Sequence, residues 1–203
     1  DIYAANTAGT ISGLGNEAVT ISDSVSVAVA SLNTLDGKTT GQINASSIQS
    51  ITGIAADLNT AYASNGITGL GDEAVTISDT SLASSVLNTL DGNTTGAVNA
   101  ATVTTLTGTA ATANTAYASN GITGLGDEAV TISDTSLATT VLNTLDGNTT
   151  GAVNAATVTT LTGTAATANT AYASNGITGL GNEAVTLSDT SLATTVLNTL
   201  DGN

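Results

Sequence analysis

Residues 69–75 read GLGDEAV, and this heptapeptide sets the period of the whole sequence. The same seven letters begin again at Gly124, and they return at Gly179 with Asn182 in place of the aspartate. Successive copies are therefore spaced 55 residues apart. A fixed period of this size is typical of solenoids and repeat arrays, in which each unit buries its apolar face against its neighbours.

Outward from this motif, the chain divides into four segments. Residues 65–119 and 120–174 are full copies that differ only at positions 84 and 85 and their equivalents, where serine becomes threonine. Residues 1–64 form a degenerate first copy, and residues 175–203 form a truncated last copy. We expect one continuous solenoid, a rod that is an excerpt from a longer array, rather than separate globular domains.

The residues that follow the motif predict a strand and then a helix. Val75 and Ile77 alternate with polar residues, as in a half-buried strand. Asp79 follows as the predicted N-cap of the helix. Apolar residues then recur at every fourth position over Leu82–Leu90, which predicts a helix that ends with Gly92 in the left-handed conformation.

A second strand–helix pair follows in the same copy. Val98 lies in a short predicted strand, and apolar residues at helical spacing run over residues 103–117. The predicted fold class is therefore α/β, a solenoid of stacked strand–helix rungs with a parallel β-sheet and two rungs in each repeat. The abundance of threonine leaves an all-β solenoid open, in which residues 67–70, 87–90 and 103–106 would be three strands.

The composition excludes most kinds of catalytic site. The chain has no His, Cys, Met, Trp, Phe or Pro, and Lys38 is its single basic residue. Acid–base catalysis by histidine, thiol nucleophiles and the His or Cys ligands of transition metals are therefore not available. We expect that the chain is not an enzyme, and that it has no catalytic residue and no cofactor-binding residue.

The charge and the hydropathy exclude two classes of partner. A net charge of −15 repels nucleic-acid phosphates and anionic membrane surfaces. The sequence contains no apolar run near the roughly 20 residues that a transmembrane helix requires. The expected partners are further copies of the same repeat in the same chain, with lateral self-association between chains as an open alternative.

Four acidic residues in each full copy are the candidate metal ligands, namely Asp72, Glu73, Asp79 and Asp91. Calcium prefers carboxylate oxygens, which makes calcium the candidate cofactor. The alternative is that these acids cap helices, form turns and keep the chain soluble. Asn182 stands where Asp72 stands in the full copy, a replacement that a strong calcium ligand would tolerate poorly.

One tyrosine stands near the end of each of the first three copies, at Tyr62, Tyr117 and Tyr172. We expect each ring to pack between rungs while its hydroxyl reaches polar surface. The alternative is that the rings stack in a row on a ligand-binding face.

Several segments resemble the repeats of giant threonine- and glycine-rich bacterial surface proteins, such as those of marine cyanobacteria. The resemblance covers the whole chain and is clearest in VTISDTSLA at 75–83, LNTLDGNTTG at 87–96, VTTLTGTAA at 103–111 and GIAADLN at 53–59. It implies secretion, a cell-surface or matrix location, and a mechanical or adhesive role. It also implies an association with calcium, which is common in that family, and it carries over no catalytic residue.

The sequence therefore predicts a structural repeat segment of a long secreted surface fibre, matrix filament or adhesin stalk. The alternative function is a multivalent binding module, an adhesin array that engages glycan or another surface through repeated weak sites, with or without calcium. Both interpretations place the chain outside the cell or at the cell surface.

Overall fold

A computed structural model describes residues 8–9 and 11–202 of the chain. Within these residues, short strands alternate with helices of eight to ten residues. The strands are β1 (Val19–Thr20), β2 (Val27–Ala28), β3 (Ile43–Asn44), β4 (Ser50–Gly53), β5 (Ile67–Thr68), β6 (Ala74–Ile77), β7 (Ser81–Ala83), β8 (Val98–Asn99), β9 (Thr105–Gly108), β10 (Ile122–Thr123), β11 (Ala129–Ile132), β12 (Ser136–Ala138), β13 (Val153–Asn154), β14 (Thr160–Gly163), β15 (Ile177–Thr178) and β16 (Ala184–Leu187). The helices are α1 (Val29–Asp36), α2 (Ala55–Ala63), α3 (Ser84–Asn93), α4 (Ala110–Ala118), α5 (Thr139–Asn148), α6 (Ala165–Ala173) and α7 (Thr194–Asp201).

The described strands pair in parallel, and paired residues lie 23 or 24 positions apart in the sequence. Val75 pairs with Val98, as the predicted step between the two strands of a copy requires. Val98 pairs next with Ile122 rather than with Val130. The stretch between Val98 and Val130, which is the equivalent of Val75 in the next copy, therefore contains β10, a strand that the apolar pattern does not predict. A full copy contributes five strands instead of the two that the sequence predicts.

The described residues form two compact units, and each is described by itself. The first unit holds the described residues up to Asp79, together with Thr89–Ala100 and Gly121–Thr123. It contains a three-stranded sheet of order β1-β3-β5 and a five-stranded sheet of order β10-β8-β6-β4-β2.

The second unit holds Thr80–Asn88, Ala101–Asn120 and the described residues from Gly124 onward. It contains a five-stranded sheet of order β15-β13-β11-β9-β7 and a three-stranded sheet of order β12-β14-β16. The predicted fold class is confirmed, because alternating parallel strands and helices build a solenoid-like α/β repeat.

Alternation of small polar and branched apolar residues decides where the strands lie. In β6, Val75 and Ile77 are each 1% exposed, while the residues between and before them face solvent. The same pattern places Leu106 of β9 in the core against Leu82 of β7. Each sheet therefore has one apolar face, as the alternating pattern predicts.

The helices begin later than the sequence spacing predicts. Leu82 lies in β7 and the helix starts only at Ser84, because the Ser-Leu-Ala segment pairs with β9. Likewise Leu106 lies in β9, and the second helix begins at Ala110. Gly92 lies inside α3 and is not in the left-handed conformation, so the predicted C-terminal glycine cap is wrong.

The all-β alternative is wrong at residues 87–90, because these residues lie in α3 with Leu87 and Leu90 fully buried. Helices rich in serine and threonine are weak by themselves, so packing must stabilise them. Amide side chains reinforce this packing in the second unit, where Asn88 Nδ2 donates to the carbonyl oxygen of Thr112 at 2.9 Å and links α3 to α4. In the described part of the chain, no helix has both the length and the apolar character needed to cross a bilayer.

Candidate functional site at the repeat junctions

The tyrosine near the end of each copy contacts the glutamate of the motif that opens the next copy. The Oη···Oε2 distances are 3.0 Å for Tyr62–Glu73, 2.9 Å for Tyr117–Glu128 and 3.0 Å for Tyr172–Glu183. We call each such pair a repeat junction, together with the glycine two residues before the glutamate. The junctions of Glu73 and Glu128 also include the threonine 21 residues after the glutamate. The phenol donates the hydrogen bond and the carboxylate accepts it.

The glutamate is a buried charge at two of the three junctions. Glu73 and Glu128 are each 0% exposed. The N–H of Gly71 donates to both carboxylate oxygens of Glu73, at 3.0 Å each, and the Tyr62 hydroxyl supplies a further donor. Burial of an unpaired carboxylate is costly, and these charge-assisted hydrogen bonds offset part of that cost.

A glycine is required two residues before the glutamate. Gly71 has a φ of +137°, a backbone conformation in which a side chain would be strained. This conformation turns the Gly71 N–H back toward the carboxylate of Glu73. Gly126 has a φ of +144° and donates to Glu128 in the same way, at 2.9 and 3.2 Å.

A threonine hydroxyl binds the backbone of the junction glutamate. Thr94 Oγ1 donates to the backbone carbonyl of Glu73 at 2.9 Å and accepts from the N–H of Gly96 at 2.9 Å. A Cβ at Gly96 would collide with that same carbonyl oxygen, so only glycine allows the two backbones to approach. Thr149 makes the equivalent contacts, at 2.7 Å to the Glu128 carbonyl and 3.0 Å from the Gly151 N–H.

The junction keeps the tyrosines protonated over a wide pH range. Burial, followed by the hydrogen bond to Glu183 and the charge of Glu183, raises the pKa of Tyr172 to about 12. Burial also raises the pKa of Tyr62 and of Tyr117, and in both cases the junction glutamate adds to the effect. The hydroxyls of Tyr62 and Tyr117 thus reach a buried carboxylate instead of the polar surface that the sequence predicts, and the hydroxyl of Tyr172 reaches the half-buried carboxylate of Glu183.

Asp79 caps a helix, but not the helix that the sequence predicts. Its Oδ2 accepts from the N–H of Ala55, the first residue of α2, at 2.8 Å. Asp134 and Ala110 form the same contact at 2.7 Å, as do Asp189 and Ala165. The aspartate therefore caps the helix of the preceding copy, 24 residues earlier in the chain.

The four candidate metal ligands have separate surroundings. Glu73 lies in the junction, Asp79 caps α2 and Asp91 lies in α3. Asp72 lines a cleft of about 490 Å³ with Ser24, Ser46, Ser47, Ile48 and Gln49. Among the residues that the structure describes, no three His, Cys, Asp or Glu side chains come together as a metal site would need. Calcium binding by these residues stays a prediction.

The sequence contains a signal for the junction that the apolar pattern does not reveal. Tyrosine and glutamate are separated by 11 residues at each of the three junctions. The tyrosine closes an apolar stripe and the glutamate stands in a polar turn, so a hydropathy pattern assigns them to different surfaces. Only the constant separation, repeated in each copy, indicates that the two side chains meet.

Chemically, the junction is a set of hydrogen bonds between the end of one copy and the start of the next. Its phenol and carboxylate are half-buried or fully buried, and each is already engaged with the other.

Comparison of this chain with protein-family models, with curated proteins and with solved structures finds no match.

Proposed function

We propose that this chain is a structural segment of a long secreted surface fibre, matrix filament or adhesin stalk. The observation that carries the proposal is the repetition of the junction. The Tyr–Glu bond occurs three times with lengths of 3.0, 2.9 and 3.0 Å, and the Asp–helix cap occurs three times with lengths of 2.8, 2.7 and 2.7 Å.

Both contacts join a copy to its neighbour. The helix of one copy receives its N-cap from the next copy, and the buried glutamate of one copy receives a donor from the copy before it. A copy is therefore incomplete alone and is completed by the addition of another copy. This is the energetic logic of repeat arrays, in which stability is the sum of weak units and favourable interfaces.

Two observations support the extracellular location in this proposal, namely the composition and the resemblance to bacterial surface proteins. One basic residue in 203 leaves trypsin-like proteases almost nothing to cleave, which suits a polymer exposed outside the cell. The resemblance to giant bacterial surface proteins implies the same location.

The first test is the dependence of size on copy number. One and then two extra copies of residues 120–174 are inserted after position 174, and small-angle X-ray scattering is measured for the chain and both extended forms. The maximum dimension should grow by an equal increment with each copy. A particle that grows equally in all directions would overturn the proposal.

The second test is the location of the repeat in its source cells. Antibodies against residues 120–174 are used with immunogold electron microscopy on intact cells. Gold along filaments or on a coat outside the envelope supports the proposal, and gold confined to the cytoplasm overturns it. If the gold is external, a glycan array then separates a passive fibre from an adhesin array, because binding that rises steeply with copy number supports the second.

A further inference from the structure

The two full copies and the truncated last copy each begin with an Asn-Gly dipeptide, at Asn65-Gly66, Asn120-Gly121 and Asn175-Gly176. In an Asn-Gly segment, the glycine nitrogen attacks the side-chain Cγ of asparagine and expels ammonia. The succinimide that results is opened by water to aspartate or isoaspartate. Glycine makes this reaction fast because no side chain hinders the approach of its nitrogen.

At Asn65-Gly66 and at Asn175-Gly176, the nucleophilic nitrogen donates a hydrogen bond to a serine. The N–H of Gly66 donates to Ser64 Oγ at 3.0 Å, and Ser64 Oγ donates to Asp36 Oδ2 at 2.8 Å. In the second unit, Gly176 donates to Ser174 Oγ at 3.0 Å, and Ser174 Oγ donates to Asp146 Oδ2 at 2.7 Å. We call the Asp36–Ser64 and Asp146–Ser174 pairs the latches.

A side chain in place of this glycine would meet the carboxylate of the latch. A Cβ at Gly66 would collide with Asp36 Oδ1, and a Cβ at Gly176 would collide with Asp146 Oδ1. The carbonyl of Gly66 also accepts from the Ile43 N–H at 2.8 Å, where the strand ladder begins. A larger residue at this position would have to displace the latch carboxylate, so the latch favours the residue that makes the preceding asparagine vulnerable. Asn65 and Asn175 themselves are exposed to water.

We propose that Asn65 and Asn175 are sites of spontaneous deamidation, and that the Asp–Ser latches hold the reaction back in the folded chain. Succinimide formation requires the Gly66 nitrogen to lose its proton and turn toward Asn65 Cγ. The bond to Ser64 retains that proton, and the adjacent carboxylate of Asp36 disfavours a negative charge on the nitrogen. Deamidation then proceeds only when the latch opens, so its rate reports local opening of the rung.

The experiment follows deamidation in the intact 203-residue chain during incubation in mildly alkaline buffer. Cleavage after Glu17, Glu73, Glu128 and Glu183 places each Asn-Gly on a separate fragment for mass spectrometry. The substitution Ser64→Ala should speed deamidation of Asn65 about fivefold or more, the factor that corresponds to the loss of one hydrogen bond. Asn175, in the same molecules, should keep its original rate, and Ser174→Ala should give the converse result.

Two further variants separate the latch from general destabilisation. Ser64→Thr keeps the hydroxyl and should restore a slow rate. Asn33→Ala removes the bond from Asn33 Nδ2 to the Asp57 carbonyl, which weakens the first unit without touching the latch. The proposal is overturned if Ser64→Ala leaves Asn65 at the wild-type rate, or if Asn33→Ala speeds it as much.

Discussion

At the scale of the single residue, Asp79 shows that the sequence can predict a capping role correctly and still assign it to the wrong helix. Aspartate before a predicted helix is a common N-cap, and the sequence alone pairs Asp79 with the helix that follows it. The chain instead inserts β7 after Asp79, so the carboxylate meets the first turn of the helix one rung earlier. The residue type predicts that Asp79 is an N-cap. Which helix it caps depends on how the rungs stack.

The substitution Asp134→Ala tests this cap. It removes the acceptor for the Ala110 N–H at the start of α4, and we expect a loss of about 1 kcal/mol in the free energy of unfolding. The measurement is urea unfolding followed by circular dichroism. The control Asp127→Ala removes an exposed carboxylate of the same copy and should change the free energy by less than about 0.5 kcal/mol. Equal effects of the two substitutions would contradict the assigned cap.

The junction tyrosines predict a loss of stability in alkali. Tyr172 has a pKa of about 12 in the folded chain against an ordinary value of 10.0. A group whose pKa is raised by folding contributes stability that is fully present below the unfolded value and is lost as the pH rises through the folded value. The free energy of unfolding should therefore fall from about pH 10 to about pH 12. Phenolate absorbance and circular dichroism, recorded together, check this fall.

The matched control replaces Tyr62, Tyr117 and Tyr172 by phenylalanine. This variant leaves the buried carboxylates of Glu73 and Glu128 short of one donor each, so it should be less stable at neutral pH. Its stability should nevertheless vary little between pH 10 and 12. A variant that loses as much stability in alkali as the parent chain would show that other groups cause the transition.

At the scale of the element, the sequence predicts the kind of structure better than its boundaries. The strand around Val75 and Val98 and the helices around Leu90 and Ala113 are where the apolar pattern places them. The prediction is wrong at Leu82 and Leu106, which lie in strands instead of helices. A spacing of four residues between apolar residues fits a helix, but it also fits a buried strand residue that is followed by a helix. Pairing between β7 and β9 decides between the two, and that pairing spans 24 residues.

The candidate site was predictable only in part for a related reason. The residue types of the junction are visible in the sequence, but burial of Glu73 depends on a glycine turn at Gly71 and on the close approach of Gly96. Neither glycine stands out in the hydropathy pattern from which buried positions are predicted. Their requirement appears only when two backbones from different parts of the chain lie in contact.

Two glycine substitutions in one copy compare a glycine that close backbone packing requires with a glycine that has open space around it. Gly151→Ala places a methyl group against the Glu128 carbonyl and should destabilise the chain by about 1–3 kcal/mol. Gly147→Ala lies inside α5 with nothing within 4 Å of the added Cβ, and it should stabilise the chain by up to about 1 kcal/mol. Thermal unfolding of both variants gives the comparison. Shifts of the same sign would contradict the close approach at Gly151.

At the scale of the whole molecule, charge is the property that accumulates. The chain carries −15, and the copy at 120–174 adds four carboxylates with no basic residue to balance them. A longer array therefore repels itself increasingly as copies are added, while each junction contributes a fixed set of hydrogen bonds. Screening by salt should thus stabilise the array, since it weakens repulsion between exposed charges more than it weakens buried contacts.

Thermal unfolding in a series of salt concentrations tests the effect of screening, and it also tests whether the chain binds calcium. Raising sodium chloride from ~10 mM to ~150 mM shortens the screening length from about 30 Å to about 8 Å, and the midpoint of thermal unfolding should rise. At matched ionic strength, calcium and magnesium chloride should raise the midpoint equally, because Glu73 and Asp79 already accept hydrogen bonds that a calcium ion would have to displace. An additional, saturating rise with calcium alone would instead assign the acids of each copy to a calcium site. In that case the cleft that Asp72 lines together with Ser24, Ser46 and Ser47 would be the first place to look for the ion.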